Sequence, residues 1–318
     1  MKVTDYFKQA NGQTLVSFEV LPPLKGGTMR SIFDTLDPLM EFKPPFVDVT
    51  YHREEFIYKK RESGYYEKTA IRKRPGTVGI CASIMHRYGV DAVPHLICGG
   101  FSKEETEDVL IDLNFLGISN VLALRGDARQ FEGRFVPEDG GHHYALDLVQ
   151  QIDGMNAGKY LDENIENGER TDFCIGVAGY PEKHFEAPNM DMDMHWLKEK
   201  VKAGASYIVT QMFFDNQRYF DFVAICRKNG IEVPIVPGLK PMTKLHQLNS
   251  LPRLFHINLP NALVEAFSKA KDNKARTQVG IEWCIQQSKE LKAGGAPCLH
   301  YYTMGDADTI RAIVEKIY

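Results

Sequence analysis

The apolar residues of this chain fall into short dense runs separated by longer amphipathic stretches. Eight runs read as buried strands: Thr14–Val20, Phe46–Tyr51, Ala92–Cys98, Asn120–Asp127, Phe173–Tyr180, Tyr207–Phe214, Val233–Gly238 and Pro297–Thr303. Runs that are apolar at successive positions bury both faces, as strands of a parallel sheet do. Between them, helical spacing covers 29–41, 77–87, 102–116, 144–152, 190–203, 216–228, 241–251, 261–271, 274–293 and 306–317. Local punctuation agrees with these limits. Ser102-Lys-Glu-Glu105 is a capping box, Asp215 is an N-cap, and Gly204 stops a helix. Pro22-Pro23 closes the first strand, and Pro94 inside the third predicts a bulge. Residues 1–13 form a short amphipathic lead-in. The polar stretch His52–Pro75 reads as a solvated helix or an ordinary loop, with an active-site flap as the functional alternative. Ala128–His143 reads as a glycine-rich loop long enough to be functional.

Each strand is followed by enough chain for a parallel crossover. The count and length predict an α/β fold: a closed (βα)8 TIM-type barrel, one domain over residues 1–318 with extra helices and no regulatory domain. An open doubly wound sheet is the alternative. It normally carries a glycine fingerprint after its first strand, and this chain has none.

Composition narrows the function classes. With 318 residues, 43% hydrophobic and 25% charged, the chain reads as a soluble globular protein. A net charge of −4 argues against general nucleic-acid affinity. No apolar run reaches the length of a membrane span, and residues 1–13 lack a signal-peptide core, so a cytoplasmic location is expected. The six cysteines form no Cys-x-x-Cys pair and read as reduced core residues. The ten histidines show no metal-binding spacing, and no metal is expected. His142-His143 reads as part of an exposed loop rather than a chelate.

The candidate chemistry lies at the strand ends, where barrels of this kind place their sites. Val121-Leu-Ala-Leu-Arg-Gly-Asp127 runs from four apolar residues into a cation, a flexible residue and a carboxylate. Arg125 can fork onto phosphate or carbonyl oxygens, and Gly126 lets backbone approach a ligand. Glu19 is an acid in an apolar strand, out of place unless it faces a polar cavity. With Thr50, His95, Asp127, Tyr180, Gln211, Gly238 and Tyr302, it makes a ring of mostly hydrogen-bonding groups on one rim.

A set of ordered motifs resembles methylenetetrahydrofolate reductase, a flavin-dependent folate enzyme family, in its short bacterial-type form. They are Ser17-Phe-Glu-Val-Leu-Pro-Pro23, Val49-Thr-Tyr51, Pro94-His-Leu96, Ala123-Leu-Arg-Gly-Asp127, Gly179-Tyr-Pro-Glu182, Lys200-Val-Lys-Ala-Gly-Ala205, Thr210-Gln-Met-Phe-Phe-Asp215 and Pro237-Gly-Leu-Lys-Pro241. The resemblance implies reduction of 5,10-methylenetetrahydrofolate to 5-methyltetrahydrofolate, in a ping-pong reaction through non-covalent FAD with NADH or NADPH as donor. It implies a role in supplying methyl groups for methionine synthesis, and a homo-oligomer with a small-molecule substrate as partner. Glu19 matches the family's catalytic acid, and Asp127 is placed by the flavin and the pterin. Thr50, Tyr51, His95, Arg125, Gly126, Asp127, Tyr144, Ala145, Tyr180, His184, Asp193 and Lys200 resemble its FAD contacts. Gln211, Gln247 and Leu251, with Glu19 and Asp127, resemble its folate contacts.

The residues agree with the implied chemistry. Hydride transfer to the folate methylene carbon needs an open iminium, so an acid must protonate N10, and burial makes a carboxyl such an acid. Asp127 is expected to stay charged beside Arg125. The chain also departs from the family pattern. Residues 52–75 replace a short glycine-containing loop, Leu251 stands where some members have phenylalanine, and Gly305-Asp306 replaces a basic residue. A cofactor-free lyase or aldolase using Glu19 with Lys240, and a non-catalytic binding barrel, are the competing classes.

Overall fold

The computed structural model describes residues 1–129 and 132–318. Its strands are β1 Leu15–Val20, β2 Phe46–Val49, β3 Glu55–Lys60, β4 Tyr66–Ile71, β5 Asp91–Ile97, β6 Asn120–Leu124, β7 Cys174–Gly179, β8 Ala205–Thr210, β9 Ile235–Val236, β10 Gly238–Leu239 and β11 Cys298–Tyr302. Its α-helices are α1 Val3–Gln9, α2 Arg30–Leu36, α3 Thr77–Tyr88, α4 Lys103–Phe115, α5 Ala145–Asn156, α6 Met190–Lys202, α7 Asn216–Lys228, α8 Gln247–Phe255, α9 Asn261–Lys269, α10 Asn273–Ala293 and α11 Ala307–Val314.

The main sheet runs β10-β11-β1-β2-β5-β6-β7-β8-β9, with parallel neighbours throughout. Its two ends are halves of one strand broken at Pro237. The first half pairs with β8 and the second with β11. The Pro237 carbonyl accepts from the His300 N–H at 3.1 Å, so hydrogen bonding continues across the break. The sheet thus closes as the eight-stranded α/β barrel expected from the pattern.

Alternate residues explain the two cores. Val16, Phe18 and Val20 of β1 point outward, into a core shared with Leu36, Ile80, Leu110, Leu148, Phe222 and Ile310 of the surrounding helices. Inside the barrel, Phe46, Val93, Leu122, Cys174, Tyr207, Val236 and Cys298 pack together, with Val3, Tyr6 and Phe7 of α1 against them. The amphipathic lead-in is therefore a plug across the amino ends of the strands. The Val3 N–H also donates to Asn120 Oδ1 at 2.8 Å.

Several local expectations change. The register runs unbroken through Val49 and Pro94, so Pro94 makes no bulge there. The irregularity lies at Ile175/Gly176, where a Cβ on Gly176 would meet the Tyr207 ring at 2.4 Å. Residues 55–71 are neither helix nor plain loop but an antiparallel hairpin, β3–β4. Both its faces are largely solvated, so its alternation carries little hydrophobic signal. Helix α8 starts at Gln247 rather than Pro241, and the stretch after α2 tightens into a 3-10 turn, Asp37–Phe42, around Pro38. β6 ends at Leu124, so Arg125-Gly126-Asp127 follows the strand. The capping box is as expected, with Glu105 N–H donating to Ser102 Oγ at 3.1 Å. All six cysteines are free and buried. His142 is buried and bonded to Gln151 rather than exposed. The expected loop 128–143 includes residues 130 and 131, which lie outside the described residues.

Gly280, inside α10, tests the packing. Glycine to alanine in a helix ordinarily gains up to about 1 kcal/mol. Here the added Cβ would stand 1.6 Å from the Met242 carbonyl oxygen. Gly280→Ala should therefore destabilise, by about 1–3 kcal/mol as overpacked cores do. Thermal or urea unfolding measures it, and an unchanged or raised midpoint would contradict this packing.

Candidate active site

β1, β2 and β5 carry the central acid group. Glu19 pairs in register with Asp48 on one side and Tyr302 on the other. All three alternate with the outward-facing apolar residues and so face the barrel interior. His95, two residues beyond Asp48's register partner Val93, faces the same space. Its Nε2 lies 3.6 Å from Glu19 Oε2 and 3.4 Å from Asp48 Oδ2. The Glu19 side chain is 14% exposed, enough to meet a ligand at the rim while most of its hydration is gone. Burial pushes its pKa up to about 7, with His95 and Lys240 opposing and Asp48 assisting. For His95, burial favours the neutral ring, but the neighbouring carboxyl groups of Asp48 and Glu19 prevail and raise its pKa. Lys240, just after β10, is held below the ordinary lysine range by burial, although Glu19 opposes this.

A second group follows β6 and β7. Gly126 has φ +85°, a conformation glycine adopts freely. Arg125 forms an ion pair with Glu186, not with Asp127 as expected. The Glu186 pKa is lowered chiefly by that hydrogen bond. The Tyr180 and His184 rings meet edge-on at 4.6 Å, and Asp193 accepts from the His184 N–H at 2.8 Å. Lys200 donates to the Ala178 carbonyl at 3.2 Å, and burial lowers its pKa to about 8. The Asp127 carbonyl accepts from Arg53 Nη2 at 2.8 Å. Arg53 lies at the root of the β3–β4 hairpin, and its guanidinium also sits over Phe135. The hairpin is thus tied to the loop after β6.

The remaining expected residues are dispersed around the rim. Thr50 follows β2 with its Oγ1 buried and without a hydrogen-bond partner among the described residues, and the Tyr51 hydroxyl accepts from Arg72 at 2.9 Å. Tyr144 is exposed at the start of α5, of which Ala145 is the first residue. Gln211 follows β8, and its Oε1 accepts from the next backbone N–H at 2.9 Å. Gln247 Oε1 accepts from the Thr243 and Lys244 N–H groups, at 2.7 and 2.8 Å. Leu251 is buried with Met212, Phe214 and Met242. Gly238 lies on β10, and the Tyr302 hydroxyl donates to the Thr210 carbonyl at 2.6 Å. Asp48, Glu186 and Arg53 were not singled out from the sequence. Asp48 carried the same signal as Glu19, an acid within the apolar run Phe46-Val-Asp-Val49.

The family model for methylenetetrahydrofolate reductase matches residues 4–318. This chain belongs to the methylenetetrahydrofolate reductase family. Among the family's members, it is 34% identical over 316 residues to methylenetetrahydrofolate reductase (NADH) 1 of Arabidopsis thaliana, covering 96% of this chain but 48% of that protein. It is 32% identical over 310 residues to 5,10-methylenetetrahydrofolate reductase of Escherichia coli, covering 97% of this chain and 92% of that one. The chain thus spans about half the plant relative's length and most of the bacterial one's. A solved protein from Clostridium thermocellum, described as binding two copies of 5-methyl-5,6,7,8-tetrahydrofolic acid, superposes with TM-score 0.55 at 14% identity. It covers 98% of this chain and 99% of that chain, and the likeness shows the shared fold. Among the described residues, no helix is long and apolar enough to cross a membrane, and no group of three His, Cys, Asp or Glu side chains is placed to hold a metal.

The Glu19 carboxyl has a stability signature. Its folded pKa is about 7, against 4.5 for an unperturbed glutamate. Between these values the folded state keeps a proton that the unfolded state has lost, so stability falls as pH rises through the window. Glu19→Gln removes this dependence. Relative to the parent, the variant should gain roughly 3 kcal/mol between pH 4 and pH 8, at about 1.4 kcal/mol per pKa unit. Urea unfolding of the cofactor-free proteins at both pH values measures the gain. The same difference at both would contradict a buried, proton-holding Glu19.

Proposed function

We propose that this chain is an oxidoreductase that reduces 5,10-methylenetetrahydrofolate to 5-methyltetrahydrofolate, using NADH or NADPH as electron donor and non-covalent FAD as cofactor. The observation that carries this reading is Glu19: a largely buried carboxyl near neutral pKa, at the carboxyl end of a barrel strand, within the family's motif order. Such a group is protonated when the reaction needs an acid and close enough to neutrality to release its proton.

The residues fit the cofactor. Thr50 Oγ1, buried at a strand end and without a hydrogen-bond partner among the described residues, is free to meet a polar group. Arg125, Lys200 and His184 provide cationic or hydrogen-bonding positions suited to a pyrophosphate. Thr50, Tyr51, His95, Arg125, Gly126, Asp127, Tyr144, Ala145, Tyr180, His184, Asp193 and Lys200 would hold FAD. Bound FAD supplies a two-electron relay that separates the nicotinamide and folate half-reactions.

The chain's own side chains do the rest. Glu19 protonates N10 of the bridged folate, which opens the five-membered ring and leaves an electrophilic iminium. Asp127 hydrogen-bonds the pterin, and Gln211 offers it a donor and an acceptor. Gln247 and Leu251, both on α8, would contact the folate. Supplying methyl groups for methionine synthesis is the metabolic role this product chemistry suits.

A second reading has one observation in its favour. Lys240 faces Glu19 with its pKa lowered by burial, as the lysine of a cofactor-free lyase would be. Purified protein should be yellow or take up added FAD. A colourless protein that refuses FAD would favour the lyase.

Two variants test the assigned roles by anaerobic stopped flow. Glu19→Gln should lower folate-dependent flavin reoxidation by about 10²–10⁴-fold, the usual worth of a general acid, while flavin bleaching by the nicotinamide nucleotide stays near normal. Near-normal reoxidation would remove Glu19 from the mechanism. Asp127→Asn should slow reoxidation more than bleaching, and equal losses would make Asp127 purely structural.

A further inference from the structure

Asp48 is absent from the roles above, yet it is the most deeply placed acid near them. It is 1% exposed, and neither carboxylate oxygen has a hydrogen-bond partner of good geometry among the described residues. A buried carboxylate without partners is costly, so a fold that keeps one at this point needs a reason. His95 Nε2 lies 3.4 Å from Asp48 Oδ2. The same nitrogen is 3.6 Å from Glu19 Oε2. One imidazole nitrogen therefore stands between two carboxyl groups carried by adjacent strands.

We infer that Asp48 is a positioning residue: it holds the His95 ring as a cation against Glu19, and that cation keeps the buried acid able to release its proton. Without it, burial alone would make Glu19 too weak an acid for its task. The inference rests on Glu19 being the acid that protonates the folate.

The other groups facing this space do not replace the pair. Ser17 of β1 hydrogen-bonds His300 Nδ1 of β11 at 2.8 Å, and burial favours the neutral form of His300. Tyr302 of β11 and Tyr207 of β8 are held neutral by burial. His52, at the hairpin root, is favoured neutral by burial and by Arg74. Lys240 acts on Glu19 more weakly than His95 does. The His95 ring is thus the cation whose presence depends on Asp48.

Asp48→Asn tests this. An amide is less costly to bury than a carboxylate, so the variant should fold. Removing Asp48 takes away both its own charge and the His95 cation. Because His95 influences Glu19 more than Asp48 does, Glu19 becomes the weaker acid. In the folate half-reaction, the alkaline limb of the rate–pH profile should move up by about one unit and the plateau fall about tenfold. Flavin bleaching by NADH or NADPH should keep its rate. His95→Gln should move the limb the same way, and the double variant should move it no further. An independent readout is the His95 imidazole ¹⁵N titration in the cofactor-free protein. It should titrate above the ordinary histidine range in the parent and below that range in Asp48→Asn. An unmoved limb together with an unmoved imidazole titration would overturn the inference. Glu19→Gln, run in parallel, separates the causes. If that variant keeps its folate half-reaction, the acid assignment fails. If it loses it while Asp48→Asn behaves as the parent, only the role of Asp48 fails.

Discussion

The site depends on one constraint: a carboxyl group kept mostly out of water at the carboxyl mouth of a closed barrel. β1 meets it through its alternation. Phe18 and Val20 bury against the outer helices, which forces Glu19 to the inside. Closure does the rest, because β2 and β11 flank β1 and their Asp48 and Tyr302 are its register partners. Even the break at Pro237 serves this end, since one short strand pairs with β8 and the other with β11 to complete the ring.

The second group at the rim follows a different logic. Arg125, Tyr180, His184, Asp193 and Lys200 come from the loops after β6 and β7 and from α6. Their order comes from pairing: Arg125 to Glu186, Asp193 to the His184 backbone, Lys200 to the Ala178 carbonyl. A buried lysine near its neutral point and an arginine with a single acid partner form an environment suited to an anion. The hairpin root adds Arg53, whose bond to the Asp127 carbonyl ties the hairpin to the strand-end loop. The site therefore joins a rigid acid pocket inside the barrel to a paired-charge rim above it.

Much of this was legible in the chain itself. Strand runs and helix caps are local signals, and they located the barrel and its order. Glu19 stood out because its side chain contradicts its strand. The family motifs then supplied a role that no single spacing could. What stayed hidden depends on distant partners. Asp48 contradicts its strand just as Glu19 does, but only the barrel brings it to His95. The Glu186 partner of Arg125 lies beyond another strand, so the adjacent Asp127 was the natural local choice. The β3–β4 hairpin escaped because both its faces meet solvent, which erases the alternation that marks a half-buried strand. The irregularity lies at Gly176 rather than Pro94, beside its register partner on the next strand, Tyr207, whose ring leaves no room for a Cβ there.

Titration of Glu19 itself probes this acid pocket most directly. Protein labelled with ¹³C at glutamate carboxyls, with Glu19 assigned by its loss in Glu19→Gln, reports the protonation of that carboxyl by NMR. A buried Glu19 should titrate with a midpoint at about 7. A midpoint at the ordinary glutamate value of 4.5 would mean that Glu19 is an exposed, ionised group at neutral pH, and the acid pocket described for this barrel would not exist.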